Sequence, residues 1–220
     1  MSAFDLLTGK NVPHILQKIF RSLDYESFKA SAEVCVTWNN LLTTDAYKIW
    51  ASNEFYNEIC RDLIERSRAG SVNEVKSIVS TFTVYVDCVE DHHLKTPISL
   101  ASQNGHTNVV HLLLVHGADP NKADIRGRTP LHFATLRGHQ HVVQLLLDED
   151  QTDPNIEDNR SNTPLHEAAR EGQRDLVQLL IQYGSNPNVV NASGHTALDL
   201  ATQNGHADIV NILAPLSYHN

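Results

Sequence analysis

The stretch that decides the fold is "RTPLHFATLRGHQHVVQLLLDEDQTDPN", Arg128 to Asn155. Thr129 suits a helix N-cap, and Pro130 suits the first helical position, where a missing N–H costs nothing. Gly138 ends this short helix, and a second helix follows whose apolar side consists of Val142, Val143, Leu145, Leu146 and Leu147. The string "DPN" then turns the chain outward. The stretch therefore predicts a unit of two helices and a turn.

The same pattern occurs four times along the chain. The threonines that correspond to Thr129 are Thr96, Thr163 and Thr196, so the spacings are 33, 34 and 33 residues. The extra residue is local, because "LLLDEDQTDPN" is one residue longer than "LLLVHGADPN". Neither helix of a unit can bury its apolar face alone, so the units must stack. The repeat predicts an all-α solenoid.

The period and the "TPLHxA" string resemble the ankyrin repeat. The resemblance implies four units, at 91–123, 124–157, 158–190 and 191–220. Upstream, residues 59–90 carry "DLIERSRAGSVNEVKSIVS", which we interpret as a degenerate capping unit with a polar outer face. Its Gly70 precedes Gly105 by 35 residues. The resemblance also implies that His106, His132, His139, His166 and His206 bond to the backbone of neighbouring units.

The front of the chain, residues 1–58, does not repeat and holds both tryptophans. Pro13 suits a helix start and Asp24 a second N-cap, so residues 12–50 predict three short helices. This segment resembles an F-box. The pairs that match are Ile15-Leu16, Ile19-Phe20, Leu23-Asp24, Val34-Cys35 and Ile49-Trp50, together with Trp38. It departs from the pattern at the start, where Asn11 and Val12 take the Leu-Pro positions, Pro13 sits one place late and His14 replaces an acidic residue.

An F-box implies a subunit that docks a Skp-family linker and, through it, a cullin-RING ubiquitin ligase. The second domain, here the ankyrin stack, would bind the protein to be ubiquitinated, and the subunit would carry no catalytic residue. The alternative is an ankyrin scaffold outside ubiquitination, with the front helices as a plain cap. The linker-binding residues expected from the resemblance are Val12, Pro13, Leu16, Phe20, Leu23, Phe28, Cys35, Trp38 and Trp50.

Target contacts in ankyrin repeats typically come from the turn and the first helix of each unit. The residues expected to bind the target are Ile125, Arg126, Arg128, Leu136, Arg137, Asn159, Arg160, Asn162, Arg170 and Glu171. Basic side chains outnumber acidic ones at the contact positions of the four units. Because arginine forms bidentate hydrogen bonds with carboxylates and phosphates, we expect an acidic or phosphorylated target. We also expect Arg137 and Arg170, on the first helices, to be less exposed than Arg126 and Arg160.

Composition excludes several other classes of function. The net charge of −9 argues against nucleic-acid binding. No apolar run approaches the roughly 18 residues of a membrane span, and the N-terminus does not resemble a signal peptide. Cys35, Cys60 and Cys88 are far apart in sequence, which favours reduced thiols and a cytoplasmic or nuclear monomer. No catalytic or cofactor motif is present, and "CVEDHH" lacks the spacing of a zinc site.

Overall fold

The computed structural model describes residues 54–81, 86–89 and 93–217. Regular structure within these ranges is entirely helical, which confirms the predicted all-α class for this part of the chain. The first helices of successive pairs are α1 (Glu54–Ala69), α3 (Pro97–Gln103), α5 (Pro130–Leu136), α7 (Pro164–Arg170) and α9 (Ala197–Gln203). The second helices are α2 (Val72–Thr81), α4 (Thr107–Val115), α6 (Gln140–Leu147), α8 (Arg174–Gln182) and α10 (Ala207–Leu213). A 3₁₀ turn, Ala214–Leu216, follows α10.

The helices form two layers. The first helices pack side by side in an inner layer, and the second helices do so in an outer layer. The inner layer repeats one fully buried small residue, contributed by Ala101, Ala134, Ala168 and Ala201. A methyl side chain at this position lets neighbouring helix axes approach closely. Both layers supply larger buried groups, such as Leu131 on α5 and Leu146 on α6, so the core runs along the seam between the layers.

The Thr-Pro-Leu-His string both starts a helix and ties two units together. The backbone N–H of Thr129 donates to Nδ1 of His132 at 3.2 Å, which confirms the predicted N-cap. Because Nδ1 accepts this bond, Nε2 carries the ring proton and donates to the Asn162 carbonyl of the next unit at 3.0 Å. His166 repeats the arrangement, with its Nε2 3.2 Å from the His195 carbonyl. Burial lowers the pKa of both imidazoles, so they remain neutral.

A second set of histidines bonds in the opposite direction, to the preceding unit. Nε2 of His106 lies 2.9 Å from the Arg68 carbonyl, and Nε2 of His139 lies 3.1 Å from the Gln103 carbonyl. His206 makes the same contact with the Arg170 carbonyl at 3.0 Å. The prediction that the repeat histidines bond to neighbouring backbone is therefore confirmed.

Asparagines at the outward turns form a third link between units. Asn121 donates from Nδ2 to the Gln151 carbonyl at 2.5 Å and accepts from the Asp153 N–H at 3.0 Å. Asn155 donates to the Gly184 carbonyl at 3.1 Å and accepts from the Asn186 N–H at 2.7 Å. Each amide thus bridges its own turn to the next one.

The two described cysteines are reduced and buried, as the sequence predicts. Sγ of Cys88 lies 3.7 Å from the Cys60 carbonyl oxygen. Hydrogen bonding to Cys60 and burial raise the pKa of the Cys88 thiol. A protonated, enclosed thiol is a poor nucleophile, so these residues serve as packing groups.

Candidate binding surface

Three successive turns, 124–128, 158–162 and 191–195, are closed by the side chain of their first residue. Oδ1 of Asp124 accepts from the N–H groups of Arg126 at 2.8 Å and Arg128 at 2.9 Å. The Asp124 N–H donates to the Arg128 carbonyl at 2.9 Å. The first residues of the other two turns bond in the same way. This local bonding fixes each turn and leaves its second and third residues exposed at the tip.

Backbone hydrogen bonds join these tips into a row. The N–H of Asn159 donates to the Arg126 carbonyl at 2.9 Å, and the N–H of Ala192 donates to the Arg160 carbonyl at 2.9 Å. The first tip is anchored in the same way, since the Ile125 N–H donates to a carbonyl of the preceding unit at 3.0 Å. We call the exposed side chains at positions 125, 126, 159 and 160 the turn-tip row. Its members are held on a bonded backbone and point away from the packed core.

Arg126 and Arg160 occupy the third position of adjacent turns, and both are exposed. Neither guanidinium forms an ion pair with a carboxylate of the described residues. Each therefore offers its full set of N–H donors to a ligand. The turn-tip row thus carries two uncommitted positive charges on a chain whose net charge is −9.

Arg128, by contrast, is committed within the fold. Its Nη2 lies 2.9 Å from Oδ2 of Asp124, and the guanidinium carbon lies 4.5 Å from the ring centroid of Phe133. Only 22% of its side chain is exposed, and Nε is buried without an acceptor. The ion pair and the cation–π contact orient this arginine along the inner helices. Its charge is largely neutralised by its own turn.

Arg170 is also committed, to two glutamates of the same segment. It bonds to Glu167 through Nη2 and to Glu171 through Nε at 3.2 Å. Glu167 is buried, at 7% exposure, and burial raises the pKa of its carboxyl group while Arg170 opposes that shift. Of the two glutamates on this segment, the sequence interpretation selected Glu171 and missed Glu167. The segment 167–171 is therefore a local charge cluster with a formal net charge of −1, in which the charge of Arg170 is fully compensated.

The remaining predicted target residues fall into three environments. Arg170 is half-buried while Arg126 and Arg160 are exposed, as expected, but Arg137 is exposed too. The reason is that it follows the last residue of α5 as the C-cap, outside the packed helix. Leu136, the last residue of α5, is half-buried. Asn159 is exposed and donates to the Ile125 carbonyl at 3.1 Å.

Asn162 lies inside the stack. It is buried, its N–H donates to Oδ1 of Asp158 at 2.8 Å, and its Oδ1 accepts from Nδ2 of Asn191 at 2.9 Å. A side chain used in this way links two turns and presents no group to a ligand. Its physical role is to hold the turns together.

The structure adds one group that the sequence interpretation did not connect. Phe133 is 2% exposed and has Lys95 Nζ 4.9 Å from its ring centroid, in addition to Arg128. Lys95 also donates to Oε1 of Gln103 at 2.9 Å. The repeat alignment could have identified both Phe133 and Glu167. They stand at the position that is leucine in the first and fourth units, where it is Leu100 and Leu200.

Among the described residues, no group of three or more His, Cys, Asp or Glu side chains is arranged to hold a metal ion. No helix in the described ranges combines the length and the apolar character that a membrane span requires. The predicted linker-binding residues lie outside the described residues. They are Val12, Pro13, Leu16, Phe20, Leu23, Phe28, Cys35, Trp38 and Trp50.

Comparison with known families gives one match on this chain. A family model described as ankyrin repeats, in three copies, matches residues 49–158 and 151–220. The matched residues include every helix pair described above and the turn-tip row. No curated protein matches the chain.

Proposed function

Because this chain belongs to the ankyrin-repeat family, whose repeats mediate binding between proteins, we propose that it is a non-catalytic adaptor of a cullin-RING ubiquitin ligase. In this proposal the ankyrin stack binds the target protein. The front segment, 1–58, docks a Skp-family linker. The capping unit at 59–90 and the units at 91–123, 124–157, 158–190 and 191–220 form the target-binding arm.

The observation that carries target binding is the turn-tip row. Arg126 and Arg160 are exposed, lie on a backbone fixed by Asx bonding, and have no acid partner among the described residues. A preorganised surface loses little conformational freedom on binding, which favours affinity. Arg137 and Leu136 extend the proposed surface from the tips to the end of α5. Arg128, Arg170 and Glu171 would shape it, since their charges are paired within the fold.

The adaptor role rests on the F-box resemblance of residues 12–50. In the proposal, large apolar groups such as Phe20, Trp38 and Trp50 enter the linker interface, where buried tryptophans commonly dominate the binding energy. The subunit would act by holding target lysines near a charged ubiquitin-conjugating enzyme. This raises their effective concentration without any catalytic group on the adaptor. The ankyrin fold is typical of such non-enzymatic interaction scaffolds.

The proposal is tested by linker binding to the full chain. We expect Trp38→Ala to weaken binding to a purified Skp-family linker by about 2 kcal/mol, or about 30-fold in Kd. Tyr47→Ala is the matched control, because it removes an aromatic ring from the same segment but lies outside the proposed linker set. Circular dichroism of both variants reports the fold. An unchanged Kd for a folded Trp38→Ala protein contradicts the adaptor role.

A second candidate function is an ankyrin scaffold that binds one partner without ubiquitination. It is favoured by the departures of Asn11, Val12 and Pro13 from the start of the F-box pattern. The two candidates differ in one result. A scaffold captures its partner through the turn-tip row but ignores the Skp-family linker, whereas the adaptor binds both.

A further inference from the structure

The turn-tip row carries positive charges that form no ion pair within the described residues. The arginines nearest to it in sequence, Arg128 and Arg170, are paired with Asp124 and with the glutamates of segment 167–171. Arg126 and Arg160 have no such partner in the described ranges. The free positive charge of these two turns is therefore carried by Arg126 and Arg160, while Arg137, which is also exposed, lies at the end of α5.

We propose that the turn-tip row binds an extended segment of the target through two carboxylates, one on Arg126 and one on Arg160. This inference rests on the proposed function of the ankyrin stack as the target-binding arm, and it names the chemistry of the target. Each guanidinium forms a bidentate pair with one carboxylate, which fixes the direction of approach as well as the charge.

The spacing of the two arginines defines the spacing of the acids. Arg126 and Arg160 hold the same position in adjacent units, and stacked helices lie about 8–10 Å apart. An extended chain advances about 3.3 Å per residue, so acidic residues about three positions apart reach both arginines. A bonded tip backbone keeps this spacing constant, since the Arg126 carbonyl accepts the Asn159 N–H.

Carboxylates fit these sites better than phosphates. A phosphate carries a charge near −2 at neutral pH and is typically held by a cluster of arginines. Here Arg126 and Arg160 lie on separate turns, and Arg128 and Arg170 are already neutralised. One free guanidinium per turn matches one monoanionic carboxylate.

Exposed apolar side chains at one end of the turn-tip row define the direction in which the target segment binds. Ile125 is 53% exposed beside Arg126, and Leu94 in the preceding unit is 43% exposed. The Ile125 N–H donates to the carbonyl next to Leu94, that of His93, at 3.0 Å. These two side chains place apolar surface at the first-unit end of the row. The target segment should therefore carry an apolar residue beyond its first acidic position.

Fluorescence anisotropy with the full chain tests the proposal, using fluorescein-labelled oligoglutamate at low salt. We expect the unmodified chain to bind it, and the double variant Arg126→Glu/Arg160→Glu to bind it at least about tenfold more weakly. The matched control is Lys76→Glu/Arg174→Glu. It changes the net charge by the same amount at exposed positions of the outer helices α2 and α8, and we expect it to bind within about twofold of the unmodified chain.

Three outcomes overturn the proposal. The first is no binding of oligoglutamate by the unmodified chain. The second is an equal loss of affinity in the two double variants, which would assign the effect to net charge. The third is binding of a phosphoserine peptide but not of oligoglutamate, which would assign the row to phosphate. The Kd of the Skp-family linker is measured independently of these results, so failure of the adaptor role and failure of carboxylate recognition remain distinguishable.

Discussion

In the third unit, a Cβ added to Gly172 would lie 2.6 Å from the ring of His206, whereas Gly205, at the same position of the fourth unit, has no atom within 4 Å of that point. The two glycines have nearly the same backbone, with φ of 75° and 76°. They differ in whether another described unit packs against them. The comparison separates what a repeat residue does for its own unit from what it does for the next.

The histidine position of the Thr-Pro-Leu-His string differs in the same way. His132 and His166 cap their own helix through Nδ1 and reach the next unit through Nε2. In the fourth unit Asp199 takes this position and accepts from the Thr196 N–H at 2.8 Å. A carboxylate serves the cap but has no proton for a neighbouring carbonyl. The interior residue therefore has two tasks and the terminal residue has one.

Replacing the histidine of an interior unit should have the largest effect on the free energy of unfolding. We expect His132→Ala to lower the free energy of unfolding by about 3 kcal/mol, because it removes the cap acceptor, the inter-unit donor and a fully buried ring. Asp199→Ala, the control at the terminal position, should cost about 1 kcal/mol, the usual value of a lost cap. Urea unfolding of both variants measures the difference. Equal losses would show that the inter-unit bond adds nothing.

The second largest effect should be on the pH dependence of stability, which we expect to differ between the histidines of the interior units and Asp199 of the terminal unit. Burial lowers the pKa of His132 and His166 below the value of 6.5 that they have in the unfolded chain. The unfolded state therefore binds more protons as the pH falls below 6.5, and the free energy of unfolding falls with it. One pH unit below 6.5, the free energy of unfolding has fallen by at most about 1.4 kcal/mol per histidine.

Asp199 provides the contrast within the same experiment. Hydrogen bonds from Thr196 lower the pKa of its carboxyl group below 3.8, so its contribution is present above that pH and is lost only as the pH falls through the lowered value. Urea unfolding between pH 7.5 and 5.5 should thus detect the two histidines but not Asp199. The double variant His132→Gln/His166→Gln should flatten the profile, and an unchanged slope in that variant would contradict the assignment.

The paired glycines should give the smallest difference. Gly172→Ala and Gly205→Ala both place a Cβ at positive φ, which costs about 1–2 kcal/mol. Gly172→Ala must also displace the His206 ring and its bond to the Arg170 carbonyl, so we expect it to cost about 1 kcal/mol more. Thermal unfolding of the two variants measures this margin. Equal melting temperatures would mean that the imidazole moves aside freely.

Much of this contrast could be predicted from the sequence, because its signals are local. Thr129 and Pro130 mark a helix start, and Gly138 marks its end, through backbone preferences that need no neighbour. The repeat then requires stacking, since each unit leaves an apolar face uncovered. The ring contacts of His106, His139 and His206 followed from the resemblance to a known repeat.

The exceptional backbone of two turns was not predictable in this way. Gly127 and Gly194 adopt positive φ at the fourth position of their turns, but Leu94 and Ser161 hold the same conformation, with φ of 53° and 54°. Non-glycine residues rarely adopt it. At Ser161 the closure of the turn imposes it, since the Ser161 N–H donates to the Asp158 carbonyl at 2.8 Å, and the residue type gives no sign of it.

The sequence by itself determined the repeat, the helix boundaries and the excess of basic residues on one set of positions. Only the tertiary structure decided which of those charges are available. Arg128 and Arg170 are neutralised by Asp124, Glu167 and Glu171, while Arg126 and Arg160 are not. The physical reason is that helix signals follow from the residue types alone, whereas an ion pair, even between close neighbours in the sequence such as Asp124 and Arg128, also needs the backbone geometry and side-chain orientation that folding sets.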